Sequence, residues 1–423
     1  MKKLAFILFI ALPLAVALLI SCGENDDDSG SGTKSDDDND QTDDDNGSDD
    51  DAAGDDDTSA PNPFRLLING TDGAGLKSWE QTADGWREWE VPPSVGPEPE
   101  AVRGFGPILI LEGRYGYSAV NYFTGSLKRG FSLYASLGHT WMDFDAEAGW
   151  RLDEARPSAG EYVNIMHLQA PGDGSVWTGA QFILTWADNG MGPGPHDYYY
   201  SRDDVFRYGE QARKRLSLTD QSILALAVPS PDFGLAWAES IDGTGTLWSY
   251  DGANWAIADK PPQMAAGEID WFWFTDPHHG YAVLSKGFWD NYLLETDGEN
   301  WETIPAPEGC DVVDPSLVFA TGDDAIVIDT TRRTGVFWER RNGEWSCRTA
   351  DPLPDGGFWE HALVTTDGRA YAVINEGNYE PCLLEITAET ITRIELPPEL
   401  SGLQSVHALG DGAPPVSYSP FQY

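Results

Sequence analysis

The chain has 423 residues, with 70 Asp and Glu against 26 Lys and Arg and a formal net charge of −44. That field repels phosphate backbones, which are gripped by Lys/Arg clusters, and so excludes nucleic acid as a partner. A hydrophobic fraction of 41% and an aromatic fraction of 12%, with 17 tryptophans, exclude wholesale disorder.

Lys2 and Lys3 precede an uncharged run from Leu4 to Ile20, followed by Ser21-Cys22-Gly23. A basic start, an apolar stretch and a small residue before the cut describe a secretory signal peptide over residues 1–21. The run is marginal for spanning a bilayer, which leaves an uncleaved membrane anchor as the alternative. Leu19-Ile20-Ser21-Cys22 resembles the lipobox of bacterial lipoproteins. The resemblance implies that Cys22 is lipidated (a palmitate-type anchor), that the body lies in the cell envelope, and, with Gly23 next, that the destination is the outer membrane.

Residues 22–60 read as an acidic tether. Between Glu24 and Asp57 stand 17 acids and one lysine, mostly as Asp triplets spaced by Ser, Gly, Asn and Thr. Without an aromatic or large aliphatic residue, the segment has nothing to offset its ordering entropy, and like charges extend it. Calcium loops need oxygens at fixed offsets around a sharp Gly turn, and no segment here has that spacing.

Residues 61–423 are read as one repeat domain. The first unit is Ser78-Trp79-Glu80, Ala83-Asp84-Gly85-Trp86, then Pro92-Pro93. The same order returns at Trp141 to Trp150, in degraded form at Val205 to Gly209, then at Leu247 to Trp255, Leu293 to Trp301, Phe337 to Trp345 and Leu383 to Ile391. Asp-Gly or Asn-Gly between alternating apolar residues is a hairpin signal, and the tryptophan beyond it is placed to pack on a neighbouring sheet. Between these hairpins lies a second strand pair, for example Ile269–Phe274 and Tyr281–Leu284. Its relatives include a last pair at Val406–Tyr418, left without a partner hairpin, just as the first hairpin lacks a preceding pair. Joining the two leftovers predicts an all-β fold: a β-propeller of seven four-stranded blades, closed by N-terminal outer strands and C-terminal inner strands. Ser249-Tyr250-Asp251-Gly252-Ala253-Asn254-Trp255 resembles the Asp-box turn of sialidase-like propellers, with one residue fewer between Asp and Gly. That resemblance implies a structural turn rather than an activity.

Two long connections, Phe123–Thr140 and Asp188–Asp204, belong to consecutive blades and are expected side by side on the face that gathers the second-to-third-strand loops. They bring His139, His196, Asp197, Tyr198, Tyr199, Tyr200 and Arg202, an aromatic and polar set suited to stacking on sugar rings or anchoring a protein. The other reading is that these loops pack on each other and cap the channel. His167, His361 and His407 are placed on channel-lining strands, with His361 and His407 on neighbouring blades. No HxH or HxxxH pair accompanies them, so they are read as structural and no metal or other cofactor is expected. Cys310 and Cys347 are candidates for a disulfide, leaving Cys382 over. The function expected is a non-enzymatic, monomeric binding scaffold, held to the membrane by its lipid and taking a protein or glycan on one face. The alternative is a glycoside-acting, sialidase-like enzyme, which requires a carboxylate pair and an arginine cluster.

Overall fold

The computed structural model describes residues 64–418 apart from 73, 93–101, 112–113, 129–130, 153–162, 172–174, 186–198, 209–212, 217–220, 241–242, 288–289, 333–334, 351–356, 376–379 and 411–415, and gives mainly the backbone of the strands between 102 and 216. Cys22 and the acidic segment lie outside these residues.

The described strands form seven antiparallel sheets. Blade one holds Val102–Leu111, Tyr115–Lys128, Phe131–Asp145 and Gly149–Leu152; blade two, Val163–Gln169, Val176–Thr185, Tyr199–Tyr208 and Arg213–Leu216. Blade three runs from Ser222 to Ile257, blade four from Glu268 to Ile304, blade five from Leu317 to Thr349 and blade six from Phe358 to Ile394, each as four consecutive strands. Blade seven is composite: Gly402–Leu409 pairs with Arg65–Thr71, which pairs with Leu76–Thr82 and then Gly85–Glu90. Each innermost strand packs beside the next, from blade one round to blade seven and back to blade one. The fold is a seven-bladed β-propeller.

Closure divides one strand differently from the expectation. The C-terminus supplies a single inner strand to blade seven, and Arg65–Thr71 supplies the second. Val416–Tyr418 instead crosses to blade one and pairs with Ile108–Ile110 as a fifth strand. Leu66-Leu67-Ile68 is an uninterrupted apolar run, fit for a strand buried on both faces, and all three residues are buried.

In blades one, three, five and seven the repeated tryptophan meets the preceding blade or the segment that leaves it. Trp345 of blade five lies 6.2 Å from Tyr281 of blade four, and Trp255 of blade three 6.1 Å from Trp177 of blade two. Trp86 of blade seven donates its indole N–H to the Glu395 carbonyl after blade six (2.8 Å), and Trp150 of blade one donates to Ser78 of blade seven (2.8 Å). In the hairpin turns, Asp251 Oδ1 accepts the N–H groups of Ala253 and Asn254, and Asp297 Oδ1 those of Glu299 and Asn300. Gly252 and Gly298 supply the positive φ (91° and 90°) that each turn needs. Cys310 and Cys347 are joined by a disulfide with Cα atoms 5.3 Å apart, tying the entry of blade five to its outermost strand.

Candidate functional site

Outside blade one, where Val416–Tyr418 adds a pairing, the first strand of a blade turns one backbone edge toward the axis with no ladder to complete it, so its polar groups need other partners. Side chains of the neighbouring blade provide several. Trp271 and Trp273 of blade four donate to the Val318 and Ala320 carbonyls of blade five (2.9 Å each). Thr321 of blade five donates to the Val364 carbonyl of blade six (2.9 Å), and His361 Nδ1 accepts the Val406 N–H of blade seven (3.3 Å). His361 and His407 do meet, their ring centroids 5.7 Å apart, and both are fully buried. His167 is also buried. Desolvation pushes all three rings below their ordinary value, His407 to about 3 and His167 to about 4. These rings are neutral parts of a packed interior, not lining of an open tube. No group of three or more His, Cys, Asp or Glu positioned to hold a metal occurs among the described residues.

The inner strands reach solvent at one recurrent position. In six of the seven blades the register between first and second strand slips at least once, and the unpaired residues include Met166, Leu224, Asp270, Glu360 and Gln404. A bulge of this kind re-aims one side chain. Leu224, Asp270, Glu360 and Gln404 are half-buried, whereas the residues before and after each are buried. All lie near the start of their strands, on the face that also carries the second-to-third-strand connections. Burial, with added repulsion from Glu268 and Glu239, lifts the Asp270 carboxyl to about 6. Burial also raises Glu360. Polar residues interrupting apolar strands (Ile269-Asp270-Trp271, Trp359-Glu360-His361) are the sequence signal that marks this ring of positions, a signal independent of the hairpin repeat.

The predicted binding residues fare unevenly. His196, Asp197 and Tyr198 lie outside the described residues. His139 sits on Phe131–Asp145 opposite Asn121, and Tyr199, Tyr200 and Arg202 sit on Tyr199–Tyr208 opposite Thr185, Leu184 and Phe182. Much of each expected loop is therefore ladder. In blade one the second and third strands run 14 and 15 residues and pair out to Lys128 and Phe131, about twice the strand length of blades three to six. The alternation in Phe131-Ser132-Leu133-Tyr134-Ala135 is that of a strand, and the lysine, arginine and glycine before it had masked the turn.

Several of the described arginines are committed to the blade bodies. A carboxylate recurs on the third strand of several blades, and Arg340 pairs with Glu295 (2.5 Å), Arg341 and Arg348 with Glu339 (2.8 and 2.9 Å), Arg369 with Glu385 (3.1 Å) and Arg65 with Glu80.

No known family and no curated protein matches the chain. Among solved structures it is similar to YCF48 bound to D1 peptide (10% identity, 59% of this chain and 79% of that one, TM-score 0.39). It is similar also to the β-propeller domain of Cps50 (Swd1) from Myceliophteria thermophila (12% identity, 76% and 99%, TM-score 0.44). A third likeness is to a GH74 xyloglucanase from Xanthomonas campestris (13% identity, 79% of this chain but only 57% of that one, TM-score 0.37). At these values the likenesses carry no argument about function.

Proposed function

We propose that this chain is an exported, lipid-anchored propeller that binds a protein or glycan partner through the face bearing the inner-strand bulges and the long hairpins. The observation that carries the reading is the length of the hairpin Tyr115–Asp145, which stands on that face. Paired strands about twice as long as their counterparts in blades three to six exceed what closing the ring requires, so their length answers to something other than the common fold. The N-terminal sequence supports export and lipidation at Cys22, with residues 22–60 as a spacer, and a disulfide between Cys310 and Cys347 fits an oxidising compartment. The test is a glycan array together with envelope pull-downs, comparing the full chain with one whose hairpin is shortened by removing residues 124–135. Capture lost on shortening supports the reading; a partner held equally well by both, or no partner from either, sinks it. A Cys22→Ala chain should move from the membrane to the soluble fraction.

One observation favours a second reading, a glycoside-acting enzyme. Asp270, held protonated to about pH 6 beside Glu268 and Glu239, has the character of a general acid with carboxylates at hand. The use of Arg65, Arg340, Arg341, Arg348 and Arg369 in ion pairs within the blades favours a neutral over an anionic sugar. Hydrolysis of a glycoside panel abolished by Asp270→Asn would replace the scaffold reading with this one.

A further inference from the structure

A cleft of about 640 Å³ lies on the flank of the ring, between the segment leaving blade six (Ile394 to Glu399) and the outer hairpin of blade seven (Gln81 to Glu88). Its apolar wall is Trp79, Trp86, Leu396, Pro397 and Pro398, and its acids are Glu88, Glu395 and Glu399. No lysine or arginine lines it. Glu88 is neutralised by Lys77. Glu395 and Glu399 are exposed and form no ion pair among the described residues. The wall is already rigid. Trp86 is half-buried and pinned by its N–H on the Glu395 carbonyl, and the two prolines have fixed φ and no N–H to offer a ladder. An occupant is therefore held through side chains and not by strand addition. Its apolar groups meet an indole and proline platform with little ordering cost, and its cations meet two unpaired carboxylates in a chain of net charge −44.

We propose that this cleft docks an extended cationic peptide segment of a partner protein. None of the bulge residues Met166, Leu224, Asp270, Glu360 and Gln404 lines it, so it goes beyond the function proposed above. Charge complementarity selects the sign, and the size of the cleft matches ordinary small-ligand and short-peptide sites of roughly 300–1,000 Å³.

The test uses the full chain and a fluorescein-labelled decapeptide rich in proline and arginine, read by fluorescence anisotropy against a twin with every arginine replaced by glutamate. The arginine peptide should bind at least tenfold tighter than its twin and weaken as salt is raised. The double variant Glu395→Gln/Glu399→Gln, which changes only exposed side chains, should weaken binding about tenfold, and Trp86→Ala at least as much. Asp270→Asn should leave binding unchanged. Equal binding of the two peptides, no binding of either, or full affinity in the Glu395/Glu399 double variant overturns the proposal. Loss of binding in Asp270→Asn alone overturns it too, by moving the peptide to the bulge-bearing face.

Discussion

A histidine sealed between two blades has to stay neutral, and that sets a pH dependence. His407 and His167 titrate in the folded ring at about 3 and about 4 because burial disfavours the charged form, whereas in the unfolded chain they take a proton near 6.5. The unfolded state therefore binds protons first. Stability present at neutral pH is lost as pH falls below about 6.5, at up to about 1.4 kcal/mol per pH unit for each such ring, until the folded value is reached. Asp270 acts in the opposite direction. Burial and then Glu268 and Glu239 raise it to about 6, so above that pH the fold carries a disfavoured charge, and protonation between about 6 and 3.8 adds stability. Two measurements separate these terms. Thermal melts of His407→Gln should show a shallower loss between pH 6 and 4 than the parent chain, whatever its absolute stability. Asp270→Asn should be about 3 kcal/mol more stable than the parent at pH 8 and indistinguishable from it at pH 4. A destabilised Asp270→Asn at pH 8 would mean that the carboxylate is held by a partner stronger than its repulsion. Gly298 gives a third local test. A Cβ there stands 2.8 Å from the His278 Cα on a backbone at φ 90°, so Gly298→Ala should cost roughly 1–2 kcal/mol in chemical denaturation.

At the scale of strands and hairpins, the sequence was most legible where one residue type has one use. Asp-Gly and Asn-Gly turns followed by tryptophan mark the outer hairpins because positive φ and a large apolar face are both required there. The contents of the inner strands were harder to read. Trp271 and Trp273 look like generic core, yet their indole N–H groups complete the backbone edge of the next blade, a relation that exists only once the ring is formed. The bulges at Asp270 and Glu360 were equally silent, since one extra residue in a strand leaves the apolar pattern almost intact. Residues 123–140 read as a loop because Gly125, Arg129 and Gly130 outweighed the alternation around them. The disulfide belongs to this scale as well. It closes a span of 37 residues around blade five, and replacing Cys347 with serine should cost about 3–4 kcal/mol, seen as a lower denaturant midpoint that reducing agent no longer shifts. An unshifted midpoint would show that blade five holds its entry segment without the bond.

For the whole molecule, the decisive element is the composite blade. Ser405, Asn69 and Ser78 face one another on three adjacent strands, with the Asn69 side-chain Nδ2 donating to the Ser405 hydroxyl (3.2 Å) and the Ser78 hydroxyl donating to Asn69 Oδ1. Trp150 of blade one donates to Ser78, and Ser405 meets His407, which lies against His361 of blade six. A buried polar row thus crosses the closing blade from one neighbour to the other. Its value is register as well as energy, because a slip of one residue would bury each of these groups without a partner. Asn69→Leu leaves Ser405 and Ser78 facing an apolar side chain and should cost about 2–3 kcal/mol in global unfolding, with the composite blade's amides losing hydrogen-exchange protection first. Uniform loss around the ring would instead mean that closure and core melt together.

The same blade dictates an order of events in time. Asn69 and Ser405 are 336 residues apart, so the earliest strands of the ring to emerge from a ribosome or a translocation pore are completed by nearly the last. Throughout that interval Leu66, Leu67 and Ile68 have no final neighbour on one side, and an apolar strand edge of that kind is open to pairing with other chains. A chain cut anywhere before residue 402 keeps that edge exposed for good. The propeller therefore carries its own receipt of completion: only a polypeptide delivered through residue 409 can hide the strand it produced first.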